Sequence, residues 1–361
     1  MKHPVTAMDR GRRLSQLLRQ TLRPGGASLP IDSVGEHSGV LLDGGLSGLI
    51  WNRLAPMARA TPTGRELRQG AFADAASAMR LDARLVEVVQ ALREAGVEPL
   101  VTKGWAVARY YLNPAARPYS DLDLAVRPDQ AETARRALNA MGTRANPVDL
   151  HIGLPDLPER NWAEVFARSR IESLDGVAIR VLSPECQFRL LAVHLVRHVC
   201  CRPLWLIDIA AILEQVGKVM DWEYCLHGSY TWRRWILAVA GLAERLLGTR
   251  LPEALQARPG IRPPDWLVEM TCWRWGGGNE LRSRELRHTP AEWWPAFAYR
   301  QLNPIRWSYR LGLPPFDFLP SICLAAIVGK GLIPFSRFWR SHVLRPQASR
   351  DSFVMHTRRV F

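Results

Sequence analysis

The chain has 361 residues, 47% hydrophobic and 23% charged, a balance that excludes a disordered or fibrous protein and supplies apolar material for one large domain or two ordinary ones. Its formal net charge of +14 favours polyanionic partners (nucleotides, nucleic acid or an anionic membrane surface) without choosing among them. Nearly all of the basic residues are arginine, which reads as a coding bias; lysine occurs only at Lys2, Lys103, Lys218 and Lys330, so a lysine at a site points to a compact ammonium.

Residues 1–95 read as helical. Leu14, Leu17, Leu18 and Leu22 form a stripe that ends at Pro24-Gly25-Gly26. A second helical run covers Leu46 to about Met57. A long one extends from about Glu66 to Ala95, with Leu81, Leu85, Val88, Val89 and Leu92 on one face and Gly96 at the C-cap. The pattern then changes. Val97 to Thr102 reads as a short buried strand, Trp105 to Leu112 as a helix, and Asn113 to Ser120, with two prolines, as a loop. Asp121 to Val126 alternates acid and apolar residues, as a two-faced strand does. Asp129 to Met141 is an amphipathic helix, Asn146 to Ile152 a strand, and Ile171 to Leu182 a hairpin turning at Asp175-Gly176. Helices follow at 184–199, 204–216 and 229–247, and beyond Pro252 the chain is rich in proline, tryptophan and arginine, with a flexible point at Gly276-Gly277-Gly278.

The expected fold is therefore α+β: a small mixed β-sheet core at 96–182, a helical region at 1–95, a second helical region at 183–250 packing on the core, and a Trp/Arg/Pro-rich region at 251–361. The six cysteines contain no C-x-x-C pair and read as reduced thiols. The basic N-terminus lacks an apolar core of signal-peptide length, and the apolar stretch Ile322 to Val328 is too short to span a bilayer. A cytoplasmic location without a transmembrane segment is expected.

Chemistry centres on Ser120-Asp121-Leu122-Asp123-Leu124. Residues two apart on a strand share a face, so Asp121 and Asp123 present paired carboxylates while the leucines point away. Adjacent like charges repel unless a cation sits between them, and Mg²⁺ (or Mn²⁺) suits carboxylates combined with substrate phosphates. Asp149, on the next core strand in Val148-Asp149-Leu150-His151, can complete a two-metal site for in-line displacement at phosphorus. Upstream, Lys103-Gly104 ends a strand and opens a helix, where free N–H groups and the ammonium suit a triphosphate. Arg117 is a second candidate phosphate ligand, Ser120 either caps the strand entry or touches phosphate, and His151 shares the face of Asp149.

Thr102-Lys103-Gly104, Arg117 to Leu124 and Val148 to His151 together resemble an uncharacterised nucleotidyltransferase family of the polymerase β superfamily. The resemblance runs from about residue 70 to 250 and includes His194 to His198 and Trp205 to Asp208. Related enzymes usually open the site with Gly-Ser; this family opens it with Lys-Gly. The resemblance implies that Asp121 and Asp123 bind both metals, and that Asp149 binds the catalytic metal and assists deprotonation of the acceptor hydroxyl. It implies an NTP, such as ATP, as co-substrate. It also implies a nucleotidyl group moving to a hydroxyl or phosphate of a small-molecule, sugar or peptide acceptor, as in natural-product or peptide tailoring. The alternative is a catalytically inactive nucleotide-binding scaffold that binds a peptide or membrane-associated partner. Nucleic acid stands behind these as a partner, and peripheral membrane contact remains open.

Other features have blander readings. Asp-x-Asp can be a solvated turn, and Arg117 can pair with Asp121 or cap its loop. His194 and His198, with Cys200 and Cys201, lack the ligand spacing of a zinc site and read as the wall of the acceptor pocket or as buried hydrogen-bonding groups. Asp208, in an apolar helix, is expected to pair with an arginine or histidine of the preceding helix. The tryptophans from Trp273 to Trp339 read as ordinary packing with arginines laid alongside.

Overall fold

The computed structural model describes residues 5–277, apart from Pro24, Ala27 and Pro158, together with Pro315. The first helix, α1 (Ala7–Leu22), begins with a capping box in which Thr6 and Asp9 satisfy each other's backbone N–H groups. Short helices follow: α2 (Ile31–Gly35), α3 (Ser38–Asp43), α4 (Ser47–Trp51) and α5 (Pro56–Arg59). The single helix expected over Leu46 to Met57 is thus broken in two, because Pro56 lacks the N–H that would continue the ladder and restarts the helix instead. The long helix α6 (Pro62–Glu94) starts four residues before the expected Glu66, capped by Thr61 with proline at its first position.

The sheet comprises β1 (Leu100–Val101), β2 (Leu122–Val126), β3 (Val148–Ile152), β4 (Arg170–Leu174) and β5 (Val177–Val181), in the order β3-β2-β1-β5-β4. Parallel and antiparallel pairs are mixed: β2 with β3 and β1 with β5 are parallel, β1 with β2 and β4 with β5 antiparallel. Between β1 and β2 lies the one-turn helix α7 (Gly104–Ala108), and α8 (Ala131–Ala140) makes the crossover from β2 to its parallel neighbour β3. The β4–β5 turn is Asp175-Gly176 with φ of 49° and 78°, the double positive φ that a two-residue hairpin requires. A short helix, α9 (Trp162–Ala167), precedes that hairpin.

After the sheet the chain is helical. It runs through α10 (Pro184–Arg197), α11 (Pro203–Val216), α12 (Trp222–Leu226), α13 (Tyr230–Leu247), α14 (Glu253–Gln256) and α15 (Asp265–Gly276). The last packs back onto α1 with backbones in contact: a Cβ on Gly11 or Gly276 would fall 1.7 Å from a carbonyl oxygen of the opposite helix. Two buried clusters flank the sheet. Leu122, Leu124 and Val126 of β2 pack with Leu85, Val88, Val89 and Leu92 of α6 and with Ala134 and Leu138 of α8. Leu100 and Ala125, paired across β1 and β2, belong instead to the cluster of α10, α11 and α13. By strand alternation Asp123 shares the face of Ala125, so it lies on the side of the sheet that carries those helices.

Trp275 is buried, whereas Trp293, Trp294, Trp307, Trp339 and Cys323 lie outside the described residues. The five cysteines among the described residues are free thiols, and no helix among those residues is long and apolar enough to cross a membrane.

Candidate active site

The backbone brings the motif residues together by pairing β2 with β3. In that parallel register Asp123 stands beside Asp149, and Ala125 beside His151. Residues in register on neighbouring strands share a face, so Asp149 and His151, two apart on β3, both reach towards the carboxylate of Asp123. His151 Nε2 lies 3.1 Å from Asp123 Oδ1 and 3.3 Å from Asp149 Oδ2. Each of the three offers one ligand atom, and these atoms all lie within 4.8 Å of one another.

Lys103 approaches the same carboxylate from the end of β1. Its Nζ lies 2.7 Å from Asp123 Oδ1 and 3.4 Å from His151 Nε2. The turn that aims it is unusual. Thr102 N–H donates to Asp123 O at 2.9 Å, and the chain then swings through φ 44°, ψ −142° at Lys103 before entering α7. Positive φ disfavours a residue with a Cβ, so a lysine here carries backbone strain that glycine would avoid. Gly104 lets this turn press on the loop before β2; its missing Cβ would lie 3.3 Å from Tyr119 Cβ and 3.5 Å from Asp121 O. The helix that opens at Gly104 has only five residues, so the backbone offers little dipole and the ammonium is the main positive charge.

The three acids differ in environment. Asp123 is buried, which by itself would raise its pKa, but the hydrogen bond from His151 and the charge of Lys103 outweigh burial and hold it below the usual carboxylate range. Asp149 is exposed. Asp121 sits one residue before β2, with its carboxyl held above the usual range by partial desolvation first and then by the charges of Asp123 and Asp149. It is near the trio electrostatically, yet it does not belong to the group that offers converging ligand atoms. The strand begins after Asp121, and His151 joins Asp123 and Asp149 in the converging group. The signal in the sequence was the two-residue spacing of Asp149 and His151.

Ser120 is exposed immediately ahead of Asp121. Arg117 is elsewhere. Its guanidinium is buried against Asp208 of α11, with Nε to Oδ1 at 3.0 Å and Nη2 to Oδ2 at 2.7 Å, while Nη1 donates to the Pro118 carbonyl at 2.9 Å. Burial opposes its charge, but Asp208 more than restores it. Tyr111 completes the knot by donating its hydroxyl to Asp208 Oδ1 at 2.6 Å. The structure therefore commits Arg117 to a buried ion pair rather than leaving it free for a phosphate. The partner expected for Asp208 from the preceding helix comes instead from the loop before β2. A further tie unforeseen in the sequence is the hydrogen bond from Tyr119 OH to Asp82 on α6, which fixes the other side of that loop.

His194 of α10 is mostly buried, and its Nδ1 has no hydrogen-bond partner. His198 and Trp205 pack against it. Among the described residues this cluster is not one of the groups whose ligand atoms converge as a metal site requires.

The model of an uncharacterised nucleotidyltransferase family matches residues 41–151 and 144–248, which together take in more than half of the chain and every residue of the Lys103, Asp121, Asp123, Asp149 and His151 constellation. Neither a curated protein nor a solved structure matches. The matched spans cover both the sheet with its acidic pair and the helices packed on its face, so the chain belongs to this family and is an enzyme of the nucleotidyltransferase type.

Proposed function

We propose that the protein transfers a nucleotidyl group from an NTP to a hydroxyl or phosphate of a small-molecule, sugar or peptide acceptor, using a divalent cation held by Asp123, Asp149 and His151. The observation that carries the reading is the parallel register of Asp123 with Asp149, which puts a buried and an exposed carboxylate side by side with an imidazole between them. The donor set fits such an ion. Two carboxylates suit Mg²⁺, and the imidazole nitrogen extends the choice to Mn²⁺. A bound cation would supply Lewis-acid stabilisation to the phosphoryl group and to the departing pyrophosphate.

The chain's own groups have distinct tasks. Lys103 neutralises Asp123 at 2.7 Å and, being a flexible ammonium, can exchange that partner for the phosphates of an incoming triphosphate. Asp149, exposed on the edge strand β3, accepts the proton of the acceptor hydroxyl as its oxygen attacks the α-phosphorus and the bond to pyrophosphate breaks; its exposure and its position beside Asp123 support that role. Asp121, whose charge acts on both Asp123 and Asp149, adds a third carboxylate beside them. His151 Nε2, 3.1 Å from Asp123 Oδ1 and 3.3 Å from Asp149 Oδ2, is the nitrogen that would face the cation. The reaction belongs in the cytoplasm, where NTPs are supplied.

The test is transfer of label. The purified protein is incubated with each α-labelled NTP and Mg²⁺ or Mn²⁺ over a panel of sugars, small hydroxylated molecules and peptides, and pyrophosphate release is followed. Metal-dependent release with label on an acceptor, lost in Asp123→Asn, supports the reading. Metal-dependent NTP binding without transfer to any acceptor would favour a nucleotide-binding scaffold, and absence of both would refute the site.

A further inference from the structure

Resting on that reading of the acidic site, the geometry points to a nucleobase subsite: His194, His198 and Trp205 form an aromatic wall that receives the planar base of the donor NTP. The wall stands on the sheet face that carries Asp123. Trp205 and Asp208 are three residues apart on α11 and so lie on the same side of that helix. Asp208 is clamped by Arg117, four residues before Asp121, which fixes the Trp205 side of α11 against the loop entering the site. His194 lies within electrostatic reach of both Lys103 and Asp123.

The rings are mutually packed. His194 and His198, one helical turn apart, have centroids 4.5 Å apart, and Trp205 lies edge-on to them at 4.6 Å and 5.3 Å. The Arg202 guanidinium sits 5.3 Å from the Trp205 ring centroid. Trp205 is only half-buried and His198 is exposed, so the wall keeps an open side. Aromatic faces of this kind hold any base by stacking. Behind them, the unpartnered Nδ1 of His194 is a buried polar atom inside the cluster. Burial, then His198, Lys103 and Arg197, push the His194 pKa down to about 3, so its ring is neutral and offers one donor and one acceptor nitrogen.

The turn that builds the wall carries strain. Val199 and Cys200, between α10 and α11, both have positive φ (53° and 54°), a conformation disfavoured for residues with a Cβ and most of all for a β-branched one. Cys200 is pinned in it by its N–H to Leu195 O at 2.9 Å and by Trp275 Nε1–H donating to Cys200 O at 3.0 Å. This sharp reversal returns Trp205 against His194 and His198, and strained turns of this kind concentrate at ligand sites.

The experiment separates the base from the phosphates. Calorimetric titration with Mg²⁺ and α,β-methylene analogues of the four common NTPs is compared with titration by inorganic tripolyphosphate, which has no base. His198→Ala removes an exposed ring, and Trp205→Leu keeps apolar bulk while removing the aromatic face, so both are expected to fold; circular dichroism checks this. The expected result is a loss of NTP-analogue affinity on the order of tenfold or more in each variant, with tripolyphosphate affinity unchanged. Unchanged NTP affinity, or an equal loss for tripolyphosphate, would overturn the subsite. Failure of the wild-type protein to bind either ligand with metal would instead mark the failure of the nucleotidyltransferase reading itself.

Discussion

Arg117 grips Asp208 with two nearly parallel hydrogen bonds inside the protein, and Tyr111 donates to the same carboxylate. The pair joins the loop that delivers Asp121 and Asp123 to the helix that carries Trp205. Such a buried pair stabilises little against an apolar replacement, but breaking one side strands a charge away from water.

Asp208→Asn or Arg117→Met should therefore destabilise the protein by about 3–5 kcal/mol, while the double variant Arg117→Met with Asp208→Leu should recover part of that loss. Urea unfolding measures all three. If Arg117→Met alone proved neutral, the arginine would not be bearing the buried charge of Asp208.

Among the described residues, Asp123 is the acid that touches both Lys103 and His151. Asp123→Asn should abolish metal-dependent NTP binding and lower turnover by about a hundredfold or more, since both ligand and counter-charge are lost. Asp121→Asn should retain more activity, because Asp121 stands outside the converging trio. Mn²⁺ titration followed by electron paramagnetic resonance reads the first effect directly, and equal losses in the two variants would contradict the placement of Asp121.

Lys103 combines a needed charge with a costly backbone. Lys103→Gly should be more stable than Lys103→Ala by about 1 kcal/mol, because only glycine adopts the positive φ without strain, although both should lose triphosphate affinity. Thermal unfolding and NTP titration of the two variants, side by side, decide the point. An order of stability with alanine above glycine would mean that the turn is relaxed.

His194 makes the protein sensitive to acid. Above its ordinary value of 6.5 the ring is neutral whether the chain is folded or not; below it, the unfolded chain takes up a proton that the folded site refuses until about pH 3. Stability should accordingly fall as pH drops from about 6.5 towards 3, with a limiting slope near 1.4 kcal/mol per pH unit from this residue. His194→Gln should flatten that part of the profile in denaturant titrations between pH 7.5 and 5. His37 and His198, also lowered by burial, leave a residual slope in the variant.

Local chemistry in the sequence already determined a good deal. The stripe on α6, the Asp-Gly hairpin between β4 and β5, and the apolar alternation of β2 each depend on near neighbours, and each lies where its periodicity places it. The same alternation put Asp149 and His151 on one face of β3. What only the tertiary structure decided depends on residues far apart in the chain. The β2–β3 register brought His151 in beside Asp123 and Asp149, and α11 drew Arg117 away to Asp208 across 91 positions. Periodicity tells which way a side chain faces; strand register and the burial of an unpaired charge tell which partner it meets, and those are set by packing between distant segments.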